Sequence, residues 1–127
     1  MRDYTKYEIW KLAHQFVLDI YQISENFPKN EVFGLTSQIR RAAVSVNLNI
    51  VEGCGRGSDQ DFKRMLTIAS GSAFEAEYSL LLAKDLGYIS EKTFNEIAPK
   101  AAELKMKISK LILKIKDDIE KKSDKKP

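Results

Sequence analysis

The chain has one cysteine and one histidine in 127 residues, and that scarcity narrows the possible functions at once. Cys54 has no second thiol to pair with, so an intrachain disulfide is impossible and a structural zinc site lacks its ligand set. Cys54 falls in a glycine-rich stretch read as a flexible loop, with no neighbouring base to make it a nucleophile. His14 has no second His or Cys at ligand spacing, so surface or helix-packing use is expected. Paired carboxylates that hold two metals in a helical bundle come with Glu-x-x-His motifs, and none accompanies Glu52, Glu75 or Glu77. No metal, cofactor or catalytic residue is therefore expected. No apolar run approaches the ~18 residues of a membrane span. The opening MRDYTKYEIW lacks the apolar core of an export signal, so a cytoplasmic protein with no membrane partner is the expectation. Strand-like alternation and internal repeats are also missing.

What the sequence does have is apolar residues at helical spacing. One domain is the prior at this length, long enough to bury roughly two-thirds of its unfolded surface. From Tyr7, the residues Ile9, Ala13, Phe16, Ile20, Ile23 and Phe27 fall at steps of four and three, the pattern of a helix packing in a bundle. Trp10 and Val17 widen the stripe, and Pro28 stops it. A short loop to Gly34 follows, with Phe33 expected to fold back on the core. Thr36 is the expected N-cap of a second helix whose stripe is Ile39, Ala42, Ala43, Val46 and Ile50. Gly53 is expected to end it as a left-handed cap. Ser58 with Asp61 resembles a capping box that opens a third helix, Asp59 to Leu86. Its stripe is Phe62, Met65, Leu66, Ala69, Ala73, Ala76, Leu80 and Ala83. Gly87 is the expected C-terminal cap, with Tyr88 and Ile89 folding back. Ser90 caps a fourth helix marked by Phe94, Ile97, Ala101, Leu104, Ile108, Leu111 and Ile115. The phase is kept across Pro99, which predicts one kinked helix rather than two. The prediction is an all-α, antiparallel up-down-up-down four-helix bundle over residues 1–120, with a basic flexible tail over 121–127.

Helix two carries a second apolar face, Val44, Leu48 and Val51, which a step of 100° per residue places opposite its core stripe. Helix three has one too, at Phe74, Tyr78 and Leu81. These six are the candidate oligomer interface, with scattered exposed apolar residues as the alternative. Arg40 and Arg41 diverge by the same 100° step, so one faces a subunit neighbour and the other solvent or a ligand. The run Gly53-Cys54-Gly55-Arg56-Gly57 leads into a helix N-terminus, where free amides can hold a phosphate. No strand precedes it and no Lys-Ser or Lys-Thr follows it, so it is not a nucleotide-binding loop. It reads as a tight corner, with a phosphate contact through Arg56 as the second reading. Charge is uneven. Residues 100–127 hold ten lysines against five acids, while the first 99 residues are slightly acidic. A basic end on a near-neutral body permits nucleic-acid contact.

The residues Phe27-Pro28-Lys29 and Phe33-Gly34-Leu35-Thr36-Ser37-Gln38-Ile39-Arg40-Arg41-Ala42-Ala43-Val44-Ser45 resemble one family, the four-helix bundle proteins encoded in intervening sequences of bacterial 23S ribosomal RNA genes. The likeness continues through Asn49-Ile50-Val51-Glu52-Gly53, Gly55-Arg56, Phe62, Ala69-Ser70-Gly71-Ser72, Glu75 and Leu86-Gly87-Tyr88-Ile89. Three positions depart from the family pattern: Asn47 stands where Pro is usual, and Leu48 and Val51 replace small residues. The resemblance implies an antiparallel bundle assembling into a ring, a pentamer. It also implies similarity to the accessory variability determinant of diversity-generating retroelements, a basic barrel that binds nucleic acid and a reverse transcriptase. It carries over no catalytic residue.

The leading expectation is thus a non-enzymatic oligomeric bundle that binds RNA or a ribonucleoprotein through phosphate contacts. The candidate contacts are Arg40, Arg41, Arg56, Lys63, Arg64, Lys107, Lys110 and Lys114. The alternative is a protein-interaction scaffold with no nucleic-acid role.

Overall fold

A computed structural model of the chain describes residues 2–124. After a 3₁₀ turn at Tyr4–Lys6 come four α-helices: α1 (Glu8–Ser24), α2 (Leu35–Gly55), α3 (Asp59–Asp85) and α4 (Glu91–Asp124). No strand occurs among the described residues. Each helix packs on those before and after it, and α4 closes on α1. Pairs between helices rise in number on one while they fall on the other: Gln38 with Glu75 and Ser45 with Ser72, then Glu8 with Lys107 and Asp19 with Lys100. Helices α2 and α3, and likewise α1 and α4, therefore run in opposite directions.

The buried residues are those of the helical stripes. Ala13, Phe16, Ile20, Ile39, Val46, Ile50, Phe62, Leu66, Leu80, Leu104 and Ile108 are all sealed from solvent. Each large aliphatic or aromatic side chain among them contributes roughly 1.5–3 kcal/mol by apolar transfer. Ser58 caps α3 by accepting the Asp61 amide at 3.1 Å, and Ser90 caps α4 by accepting the Thr93 amide at 3.0 Å. Gly87, at φ 79°, closes α3 in a Schellman arrangement, its amide on Lys84 O and the Tyr88 amide on Ala83 O. Helix α4 passes through Pro99 without a break.

Five local expectations are corrected. Helix α1 ends at Ser24, before Pro28. Ser24 is buried where the stripe placed Ile23, and its hydroxyl donates to Ile20 O at 2.6 Å. Thr36 is not the cap of α2: it is buried within the first turn, and Glu31 Oε1 instead accepts the Leu35 amide at 3.1 Å. That carboxylate suits the positive end of the helix dipole, and Tyr88 donates to its other oxygen at 2.7 Å. Phe33 does not fold back, being 96% exposed. Gly53 is not a left-handed cap, because α2 continues through it to Gly55 and, among the described residues, only Gly87 has a positive φ. Cys54 is consequently a buried helical residue rather than a loop thiol, and burial pushes its pKa up. Finally, α4 is helical through Asp124, past the tail boundary expected at Lys121; the rest of that tail, 125–127, lies outside the described residues.

Gly53 is needed for a different reason. A Cβ there would stand 2.9 Å from Phe62 Cδ1 and 3.1 Å from Met65 Cβ, so α2 and α3 approach too closely for any side chain. Replacing a helical glycine by alanine ordinarily gains roughly 0.5–1 kcal/mol. Gly53→Ala should instead lose about 1–3 kcal/mol, since the buried Phe62 ring would have to shift to admit the methyl group. A lower urea midpoint is the expected result; an unchanged or higher one would show that the two helices part there without cost.

Candidate nucleic-acid interface

Lys107, Lys110 and Lys114 follow one another at three and four steps, so a helix sets them on one face. The α1–α4 packing places that face beside Tyr7, Glu8 and Ile9, where the three lysines line an open groove of about 330 Å³. Lys107 is tied to Glu8, and Glu103 stands 3.6 Å away. The bond to Glu8, with the attraction of both carboxylates, raises the Lys107 pKa against slight desolvation. Lys110 and Lys114 are exposed, and no ion pair involves either among the described residues. Their charge is free for a ligand.

Lys114 also borders the next groove toward the chain ends, of about 440 Å³, with Arg2, Asp59, Lys121 and Lys122. Asp59 organises this end of the bundle. It takes Arg2 and Lys122, the latter at 2.7 Å, and so pins the chain start and the end of α4 to the first turn of α3. The Lys122 hydrogen bond, aided by the charges of Lys122 and Arg2, holds the Asp59 carboxyl below its usual pKa despite partial desolvation. Arg2, Lys121 and Lys122 were not among the sequence candidates. The recurrence of lysine at 107, 114 and 121, one heptad apart, is the signal that could have found Lys121.

The other five candidates lie elsewhere. Arg40 turns toward α1: its Nε donates to the buried Ser24 hydroxyl at 2.7 Å, and its guanidinium lies 4.5 Å from the Tyr21 ring centre. Arg41 is exposed, and its one hydrogen bond among the described residues goes to Gln38 Oε1 at 3.2 Å. Arg56 is paired with Glu52 at 2.7 Å, and that bond raises its pKa. Arg64 has Asp61 at 3.9 Å, and Lys63 is half-buried. The eight residues therefore do not form one surface: the three α4 lysines share one groove, and Arg40 and Arg41 line another together with Val44 and Leu48.

The six candidate interface residues occupy the outward faces of α2 and α3. Leu48 is 61% exposed, Tyr78 63% and Phe74 57%; Leu81 is exposed, and Val44 and Val51 are half-buried. Lys105 lies 4.2 Å from the Phe74 ring centre and bonds Glu77 at 2.7 Å, so Phe74 leans toward α4. His14 stacks on Trp10 at 5.2 Å. No group of three or more His, Cys, Asp or Glu is placed to hold a metal ion among the described residues. No helix among them is long and apolar enough to cross a membrane.

These features define a four-helix bundle with a basic groove between α1 and α4 and exposed apolar residues on α2 and α3. The sequence model for the 23S rRNA-intervening sequence proteins matches residues 5–110, and the chain belongs to that family. The fold is similar to the crystal structure of a protein of unknown function from the S23 ribosomal protein family of Bacteroides thetaiotaomicron. The TM-score is 0.74 at 27% identity, over 82% of this chain and 97% of that one. Comparison with curated proteins returns no match.

The lowered Asp59 pKa carries a prediction about acid stability. A depressed carboxyl contributes stability that is complete above the unfolded aspartate value of about 3.9 and is lost as pH falls through the lower folded value. Asp59→Asn should lower the urea midpoint at neutral pH, and the gap to wild type should close in acid. A gap that stays constant with pH would show that Asp59 acts through packing rather than charge.

Proposed function

We propose that this protein is a non-enzymatic, cytoplasmic homo-oligomer that binds RNA, alone or in a ribonucleoprotein, through the lysines of α4. The single observation that carries the reading is the alignment of Lys107, Lys110 and Lys114 along one groove, two of them without a carboxylate partner among the described residues. Lysines in such a row neutralise successive phosphates and read no bases, so affinity without strong sequence preference is the expected mode. Tyr7 in the same groove supplies an aromatic edge that single-stranded bases can use. Lys121 and Lys122 continue along the same helix, roughly 22 Å from Lys107 at 1.5 Å per residue, but each is paired with a carboxylate, Asp117 at 3.0 Å and Asp59 at 2.7 Å, so the reading rests on Lys110 and Lys114. The outward apolar faces of α2 and α3 support self-association, and a closed ring, a pentamer, is the assembly we propose. The family description names an insertion in ribosomal RNA and no ligand, so the reading rests on the lysines.

Titrating single-stranded RNA at increasing salt tests it. Binding should weaken linearly on a log-log scale, and each of Lys110→Gln and Lys114→Gln should reduce the slope by about 0.7. Salt-independent affinity, or no binding at low salt, would remove the nucleic-acid reading and leave a protein scaffold.

A further inference from the structure

The outward stripes of α2 and α3 share one cadence. On α2 it runs Arg41, Val44, Leu48, Val51, Gly55; on α3 it runs Gly71, Phe74, Tyr78, Leu81, Asp85. Both step three, four, three, four, so each stripe is straight enough to meet a partner helix along about 21 Å. Each has a charge at one end, a glycine at the other and three apolar residues between. The charges are opposite and largely uncommitted. Arg41 has no carboxylate partner among the described residues, and Asp85 has only its neighbour Lys84, at 3.8 Å. Lys84 itself lies over the Phe94 ring, 4.6 Å from its centre.

The glycines point outward too. Gly71 sits inside α3 and is exposed, and nothing lies within 4 Å of where its Cβ would be; Gly55 is equally open. Glycine inside a helix is less favourable than alanine, and no contact within the protomer requires it at position 71. An approaching helix would.

Resting on the self-association proposed above, we infer that α2 of one copy docks antiparallel on α3 of the next, in a register set by Arg41 beside Asp85. In that register Leu48 lies level with Tyr78, Val51 meets Phe74, Val44 meets Leu81, and Gly71 comes level with Gly55. Parallel docking would bring each charge to a glycine and leave both unpaired, so charge complementarity selects the antiparallel sense. The occupant is a second copy of this chain, because the two stripes complete each other and both belong to it. The contact is heterologous, and it propagates. Within a protomer α2 and α3 already run oppositely, so antiparallel docking between copies leaves every bundle pointing the same way. Rotational symmetry about an axis along the bundles requires that arrangement. Arg41 then serves the neighbour and not RNA, while Arg40 stays with α1.

The test is light scattering over a concentration series for wild type, Arg41→Asp, Asp85→Arg and the double swap, with circular dichroism to confirm folding. Each single swap should raise the dissociation constant by about tenfold or more, and the double swap should recover most of the loss. Gly71→Leu should remain a folded monomer, since its added side chain meets nothing in the protomer. Wild type that is monomeric throughout overturns both the self-association and this register. Oligomeric wild type with unaffected single swaps, or with no recovery in the double swap, overturns the register alone. An oligomeric Gly71→Leu overturns docking over α3.

Discussion

Where Gly53 meets Phe62 and Met65 there is no room for a Cβ, and that closeness governs the bundle. The buried stripes of α2 and α3 are rich in small residues: Ala42, Ala43 and Gly53 on one, Ala69, Ala73 and Ala76 on the other. Small side chains let two backbones approach, and the Ser45–Ser72 hydroxyl bond at 2.9 Å bridges the same pair of helices. A seam this tight is sensitive to volume, as close-packed interiors are. It also consumes little of each helix's circumference. The apolar residues on the opposite sides, Leu48 on α2 and Tyr78 on α3, have no place in the core and remain in water.

Much of this was legible in the sequence, and the misses share a cause. Stripe residues such as Phe16, Phe62 and Leu104 are periodic, and periodicity survives any tertiary arrangement. The caps at Ser58, Ser90 and Gly87 are chemistry within a few residues, so they too could be read locally. Gly53 and Thr36 misled because their local chemistry has a competing use. Glycine ends helices, but it also admits a neighbouring helix, and only the position of Phe62 distinguishes the two. Thr36 can cap, but Glu31, anchored by Tyr88 from the far end of α3, takes the Leu35 amide instead. Phe33 is a large apolar residue in a loop, and size does not say which way a loop turns. Lys122 looked like part of a solvated tail because its partner, Asp59, lies across the bundle, whereas Lys121 pairs locally with Asp117 at 3.0 Å. For the candidate site, three lysines at helical spacing were readable as one face of α4. That Arg40 is committed to Ser24 and Arg56 to Glu52 was not.

The two surfaces can work independently because of where they sit. The α1–α4 groove with Lys110 and Lys114 shares no lining residue with the grooves bordered by Val44, Leu48 and Val51, which lie beside Tyr21, His14 and Val17 of α1. Self-association through α2 and α3 would leave the lysines uncovered, and repetition around an axis would multiply a weak phosphate contact into an avid one. This division also assigns the two adjacent arginines of α2 to separate tasks, one fixing α1 and one available to a neighbour.

The proposed assembly requires helix α2 to bury two faces, one inside the bundle and one between copies. Leu48→Asp tests it most directly, since it puts a carboxylate in the outer face without touching the intrachain core. Light scattering and far-ultraviolet circular dichroism should find an oligomeric wild type and a monomeric variant of unchanged helix content. A variant that stays oligomeric and equally stable, or a wild type that is monomeric, would contradict the claim.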